Sequence, residues 1–152
     1  MGAVNTVVIR DGQLVGHNTD GSGWAWGFTR ALPGADLRRV VLLGAGGAGA
    51  AIAHAVLRLG AEHLSIVDAQ PERAAQLAAD VNALYGARAE AADIQAAMAQ
   101  ATGLIHATPT GMDKLPGLPL DVALLRPAMW VSEVVYFPVS YTHLTLPTIY
   151  SV

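Results

Sequence analysis

Four consecutive apolar residues, Val40 to Leu43, run straight into Gly44-Ala-Gly-Gly-Ala-Gly49, and an Ala-rich segment with helical periodicity follows without a break. A short, wholly apolar run of this kind reads as a strand buried on both faces. Gly44, Gly46 and Gly49 form G-x-G-x-x-G, and each has a separate physical task. Gly44 permits the tight turn, Gly46 lets a pyrophosphate approach the backbone, and Gly49 lets the helix pack close to the strand. The whole loop, Gly44, Ala45, Gly46, Gly47, Ala48 and Gly49, then presents the unpaired N–H groups and the positive end of a helix to that phosphate. Asp68 closes the next apolar run, Leu64 to Val67. It lies about twenty residues on, the spacing at which a carboxylate accepts hydrogen bonds from a ribose diol. The pattern points to a bound dinucleotide.

The rest of the composition narrows the class. At 152 residues the chain is long enough for one domain with a real core. Hydrophobic residues make up 53% and charged residues 14%, which argues for a globular protein and against disorder. A net charge of −3 without a basic run argues against nucleic acid as a partner. The chain has no cysteine, so disulfides, thiolate zinc sites and a cysteine nucleophile are ruled out. No apolar stretch reaches the ~18 residues that span a bilayer. Nor does the start resemble a signal peptide, so no membrane association and a soluble cytoplasmic setting are expected.

Along the chain, Val4–Ile9 and Leu14–Gly16 flank Asp11-Gly12, a hairpin signal. Asn18, Thr19 and Asp20 can each cap a helix carrying Trp24, Phe28 and Leu32 at helical spacing. A β-α-β unit follows: strand 40–43, a helix over about 48–59, and strand 64–67. Pro71 opens another helix, to about Tyr85. Weaker signals give a strand at 87–91, a short helix at 94–101, a strand at 104–107, a turn or short helix at 120–125 and a buried strand at 130–136. This alternation predicts an α/β domain, a doubly wound parallel sheet of Rossmann type, over residues 21–138. After Pro138 the chain becomes rich in Thr, Ser and Tyr and carries no Asp, Glu, Lys or Arg. Residues 139–152 are expected to be a non-native or unpacked tail.

Four more stretches carry chemistry: Gly2-Ala-Val-Asn-Thr-Val7, Gly16-His-Asn-Thr-Asp-Gly21, Ala107-Thr-Pro-Thr-Gly-Met112 and Glu133-Val-Val-Tyr-Phe-Pro138. With the glycine loop between them, this order and wording resemble the shikimate/quinate dehydrogenase family over residues 2–138. The G-A-V-N-T and N-T-D-G pair is the most specific part. The resemblance implies that this pair holds a hydroxylated cyclohexene or cyclohexane acid, with Asn5 on a substrate hydroxyl and Asp20 as the carboxylate of the catalytic dyad. It places Thr108, Gly111, Met112 and Tyr136 near the nicotinamide, Tyr136 also touching substrate. It implies a general acid/base lysine and a Ser-x-Ser motif in an N-terminal substrate domain, and closing helices after residue 138. Residues 1–20 are then a remnant of that domain, and the chain is expected to be an internal piece with little turnover of its own. A homodimer is an option for the intact protein.

Read from the residues alone, these positions keep simpler alternatives. Asn5 is an amide inside an apolar run, suited to a diol or to an edge-strand hydrogen bond. Asp20 reads first as the cap of the helix containing Trp24, a role that can coexist with the catalytic one. Tyr136 fits a strand aromatic, and Thr108-Pro109 an ordinary turn. His17 reads as a packing or surface histidine. His54, His63 and His106 lack metal-ligand spacing or a visible acid partner and read as structural. Lys114, the only lysine, reads as a solvated loop charge.

The cofactor preference rests on Asp68. A carboxylate there accepts from a ribose 2′-hydroxyl and repels a 2′-phosphate, so NAD is expected, with NADP as the alternative. The implied reaction is hydride transfer between that cofactor and a ring hydroxyl of shikimate or quinate, as in the shikimate pathway of aromatic amino-acid biosynthesis or in quinate use. Two rival readings are a cofactor-binding module without turnover and another Rossmann chemistry such as a methyltransferase.

Overall fold

The computed structural model describes residues 4–112, 114–134 and 149–151. The chain opens with an antiparallel hairpin, β1 (Thr6–Arg10) and β2 (Gln13–His17), with Arg10 facing Gln13 across the turn. Asp11 and Gly12 both hold positive φ, 52° and 75°, the mirror-image turn whose twist matches that of the strands. The hairpin forms a sheet of its own and leaves Val7, Ile9 and Leu14 exposed. Helix α1 (Asp20–Ala31) follows.

The main sheet contains β3 (Arg39–Leu43), β4 (His63–Val67), β5 (Ala89–Ala91), β6 (Gly103–His106), β7 (Trp130–Glu133) and β8 (Ile149–Ser151), in the spatial order β5-β4-β3-β6-β7-β8. All five pairings are parallel. The crossovers are α2 (Gly47–Arg58), α3 (Pro71–Tyr85), α4 (Ile94–Gln100) and a segment with a 3-10 turn at Val122–Leu124. The doubly wound parallel sheet expected from the sequence is present. Its order reverses between β3 and β6, which places a crevice at their carboxyl ends.

The unbroken apolar runs are explained by burial on both faces. Val40, Leu42, Leu64, Ile66 and Ile105 join α2 and α3 through Ile52, Val56, Leu77 and Val81, and α1 through Trp24 and Phe28. Their sequence neighbours Val41, Leu43 and Leu104, with Val131 of β7, point the other way, onto Met98 of α4 and onto Met129, Leu120 and Leu124. Polar side chains fasten the layers. The buried Trp24 indole donates to Ser132 Oγ at 2.9 Å, tying α1 to β7. Trp130 lies where a side chain on Gly103 would be and donates to the Asp36 carbonyl at 2.9 Å. Arg126 donates to the Met98 and Ala101 carbonyls, both at 2.6 Å, closing the end of α4.

Two sequence expectations are modified. Asp20 does not cap α1: Thr19 is the N-cap residue, Asp20 begins the helix, and its carboxylate turns to Asn5. Of the segment expected to stay outside the fold, residues 149–151 instead pair with β7 as a parallel edge strand. Residues 139–148 and 152 lie outside the described residues, as does Tyr136.

Candidate functional site

The glycine loop forms because β3 must turn directly into a helix packed on its own end. Gly44 has φ 100°, a conformation L side chains rarely adopt, and its N–H donates to the Val67 carbonyl at 2.8 Å. A Cβ on Gly44 would also lie 2.7 Å from the Ala107 carbonyl oxygen. On Gly49 it would overlap the Gly44 carbonyl, with the carbonyl carbon at 2.9 Å. Gly46 differs: it is the N-cap of α2, in extended conformation, and a Cβ there would meet no atom within 4 Å. Two glycines are therefore required by the protein's own packing. The third leaves open the space into which its side chain would project.

No side chain caps α2 and no acidic residue lies in its first turn, so nothing within the helix offsets the positive end of its dipole. Beside it, at the carboxyl end of β4, Asp68 does something the sequence did not disclose. Its Oδ2 accepts from the Ala45 N–H at 2.7 Å and its Oδ1 from the Gln70 N–H at 2.9 Å. One carboxylate thus holds the glycine loop and the entry to α3 together. Each oxygen retains a second acceptor position, so these bonds leave room for a diol.

A cleft of about 570 Å³ opens over the ends of β3, β4 and β6. Gly44, Gly46, Asp68, Arg73, Ile94 and Thr108 are among its lining residues, and Arg73 is the only cation among the described ones. Of the residues expected from the sequence, Gly44, Gly46, Asp68 and Thr108 come together here. Gly111 and Met112 do not line this cleft. Gly111 is buried and donates to the Leu115 carbonyl at 2.7 Å, while Met112 bridges to Leu115 and is partly exposed.

Asn5 and Asp20 lie outside that lining but meet one another. Asn5 Nδ2 donates to Asp20 Oδ1 at 2.6 Å, and Asn5 Oδ1 accepts from the Thr19 N–H at 2.9 Å. The amide therefore fixes the carboxylate at the start of α1, and both side chains are solvent-accessible. Lys114 and His17 are exposed, as expected. For His63 and His106, whose acid partners the sequence does not display, the structure supplies one each. His63 Nε2 meets Glu90 Oε1 at 2.9 Å, and His106 Nδ1 meets Glu133 Oε1 at 2.7 Å. Both pairs cross between neighbouring strands, and parallel register sets His106 directly opposite Glu133. Among the described residues no group of three or more His, Cys, Asp or Glu could hold a metal, and no helix is long and apolar enough to cross a membrane.

Comparison with known proteins agrees with this geometry. A family model described as "NADP oxidoreductase coenzyme F420-dependent" matches residues 39–114, from β3 to the loop after β6. The chain is 58% identical over 142 residues to a shikimate dehydrogenase (NADP(+)) of Streptomyces avermitilis, covering 91% of this chain and 49% of that protein. It is 44% identical over 144 residues to a quinate/shikimate dehydrogenase (NAD(+)) of Corynebacterium efficiens, covering 91% and 51%. Among solved structures it resembles quinate dehydrogenase from Corynebacterium glutamicum in complex with NAD, with a TM-score of 0.85 and 43% identity over 90% of this chain and 50% of that one. The chain spans about half the length of the curated relatives it matches. The oxidoreductase model and these relatives meet on the same parallel sheet, and the chain belongs to the shikimate/quinate dehydrogenase family.

Proposed function

We propose that the cleft at the ends of β3, β4 and β6 holds a nicotinamide dinucleotide, and that the whole protein transfers hydride between it and a ring hydroxyl of shikimate or quinate. The observation that carries the reading is Gly46. It is the one glycine of the motif whose side-chain space is open, it sits at an uncapped helix start, and it faces the cleft. That is the cradle a pyrophosphate needs. The dinucleotide supplies the hydride acceptor or donor at its nicotinamide ring. This chain's residues bind and orient it: the loop N–H groups take the pyrophosphate, and Asp68 accepts from the adenosine ribose diol while keeping the loop in place. Thr108 lies at the β6 end of the same cleft, where the nicotinamide half would extend.

Asn5 and Asp20 form the substrate side of this reading. Asn5 holds the Asp20 carboxylate in one orientation, as a group must be held if it is to steady a cationic acid/base and a substrate hydroxyl. By the family resemblance that acid/base is a lysine of the substrate domain. NAD is the proposed cofactor because the Asp68 carboxylate repels a 2′-phosphate. Arg73 in the same cleft keeps NADP as the alternative, in line with the NADP(+) named for the Streptomyces relative. Titration of the purified chain tests this. NADH should bind more tightly than NADPH, and Asp68→Ala should narrow the gap. Tighter NADPH binding by the unsubstituted chain would overturn the NAD assignment, and binding of neither would overturn the cleft.

A further inference from the structure

Beneath the cleft floor lies a buried polar chain that the reading above does not use. His106, at the end of β6, and Glu133, at the end of β7, are 1% and 6% exposed. His106 Nδ1 lies 2.7 Å from Glu133 Oε1, and Nε2 is hydrogen-bonded to Thr108 Oγ1. Thr108 Oγ1 in turn accepts from the Thr110 N–H at 3.2 Å. Buried imidazole–carboxylate pairs are costly unless each polar atom is matched, and here the matching runs out to a side chain that lines the cleft.

We propose that His106 and Glu133 are positioning residues that fix the hydroxyl of Thr108 as a hydrogen-bond acceptor toward the bound dinucleotide. A carboxylate only accepts, so Nδ1 carries the proton between His106 and Glu133. In a neutral ring the other nitrogen is then the acceptor. Among the described residues, Nε2 is the one acceptor within reach of the Thr108 hydroxyl proton, so that proton points down into the protein. The oxygen has one lone pair on the Thr110 N–H and turns the other to the cleft. The Thr108 end of the cleft thereby favours a donor on the ligand, either the carboxamide N–H of a nicotinamide or a hydroxyl of its ribose, and disfavours an acceptor. The inference rests on the cleft being a dinucleotide site, and it assigns the detail of one end of that site to two residues that do not touch the ligand.

Nitrogen NMR of the histidine rings, combined with calorimetric titration of the chain with NADH and with ADP-ribose, tests it. His106 should show a neutral ring protonated at Nδ1. Thr108→Val and Glu133→Leu should each weaken NADH binding roughly five- to tenfold, the loss of one hydrogen bond, while Thr108→Ser, and Glu133→Gln with its amide oxygen still accepting from Nδ1, should keep it. Equal weakening for ADP-ribose identifies a ribose hydroxyl as the donor, and weakening for NADH alone identifies the carboxamide. A His106 ring protonated at Nε2, or at both nitrogens, overturns the proposal whatever the binding data show. If the unsubstituted chain binds NADH and both Thr108→Val and Glu133→Leu bind it within twofold, the positioning role falls while the dinucleotide site stands. If the unsubstituted chain binds neither ligand, the site reading fails and the proposal fails with it.

Discussion

Substituting Gly46 and Gly49 separately by alanine should split binding from stability. In Gly49→Ala the new methyl overlaps the Gly44 carbonyl, a main-chain group pinned by the turn at φ 100°. Overpacking a tight contact costs about 1–3 kcal/mol, and the upper end applies where backbone must give way. Alanine recovers about 1 kcal/mol over glycine inside a helix. The net is a loss of about 2 kcal/mol, which at roughly 2–4 °C per kcal/mol for a domain of this size lowers the melting midpoint by about 4–8 °C. In Gly46→Ala the backbone is extended and the methyl meets nothing within 4 Å. Exchanging glycine for alanine at an N-cap costs up to about 1 kcal/mol, so the midpoint should move by no more than about 2–4 °C. The same methyl enters the phosphate's approach path, and NADH affinity should drop at least about tenfold, steric exclusion of a few tenths of an ångström being enough. Thermal unfolding followed by circular dichroism and fluorescence titration with NADH read the two effects. A Gly49→Ala chain that melts within a degree of the parent, or a Gly46→Ala chain that binds NADH unchanged, would refute the division of labour between the two glycines.

Ser132→Ala should lower stability by about 1–3 kcal/mol, because it leaves the buried Trp24 N–H without its acceptor; urea unfolding followed by tryptophan emission checks this, and an unchanged midpoint would contradict it. His54 gives a pH dependence. Burial holds its imidazole below the ordinary histidine range, with Arg58 adding to the effect and Asp80 opposing it. The unfolded chain therefore takes up a proton more readily than the folded one, so the His54 contribution is intact above about pH 6.5 and is lost as pH falls below that value. His54→Gln should flatten the fall in melting midpoint between neutral and mildly acidic buffer, and an unaltered slope would remove His54 as its source.

Local signals made the central part of this fold legible. Val40–Leu43, the three spaced glycines and Leu64–Val67 each state their element within a few residues, because burial on both faces demands an unbroken apolar run. The start of α3 at Pro71 and the Asp11-Gly12 turn were legible for a different local reason, the backbone angles those residues favour. Ala89–Ala91 was faint because a three-residue edge strand needs little apolar surface. The site was only half legible. Gly46 and Asp68 announce themselves by spacing, yet the bond from Ala45 to Asp68 depends on where two loops come to rest. Asp20 beside Asn18 and Thr19 looks like one of several caps until the hairpin returns Asn5 to its side. His106 and Glu133 lie 27 positions apart and meet only through the pairing of β6 with β7. No window of sequence contains that pair.

The Trp130 ring over Gly103 acts as a gauge for that pairing. Parallel strands can in principle slide past one another in steps of two residues without exchanging faces. Here a slide of two would set the indole against Ile105, where a side chain already fills the space, and would withdraw its N–H from Asp36. The observed alignment accommodates the ring, and three residues further along it Glu133 lies opposite His106. A glycine at one end of the strand thus sets, at a distance, which acid faces the histidine at the other. Enlarging residue 103 would be felt first as a misalignment of charge beneath Thr108.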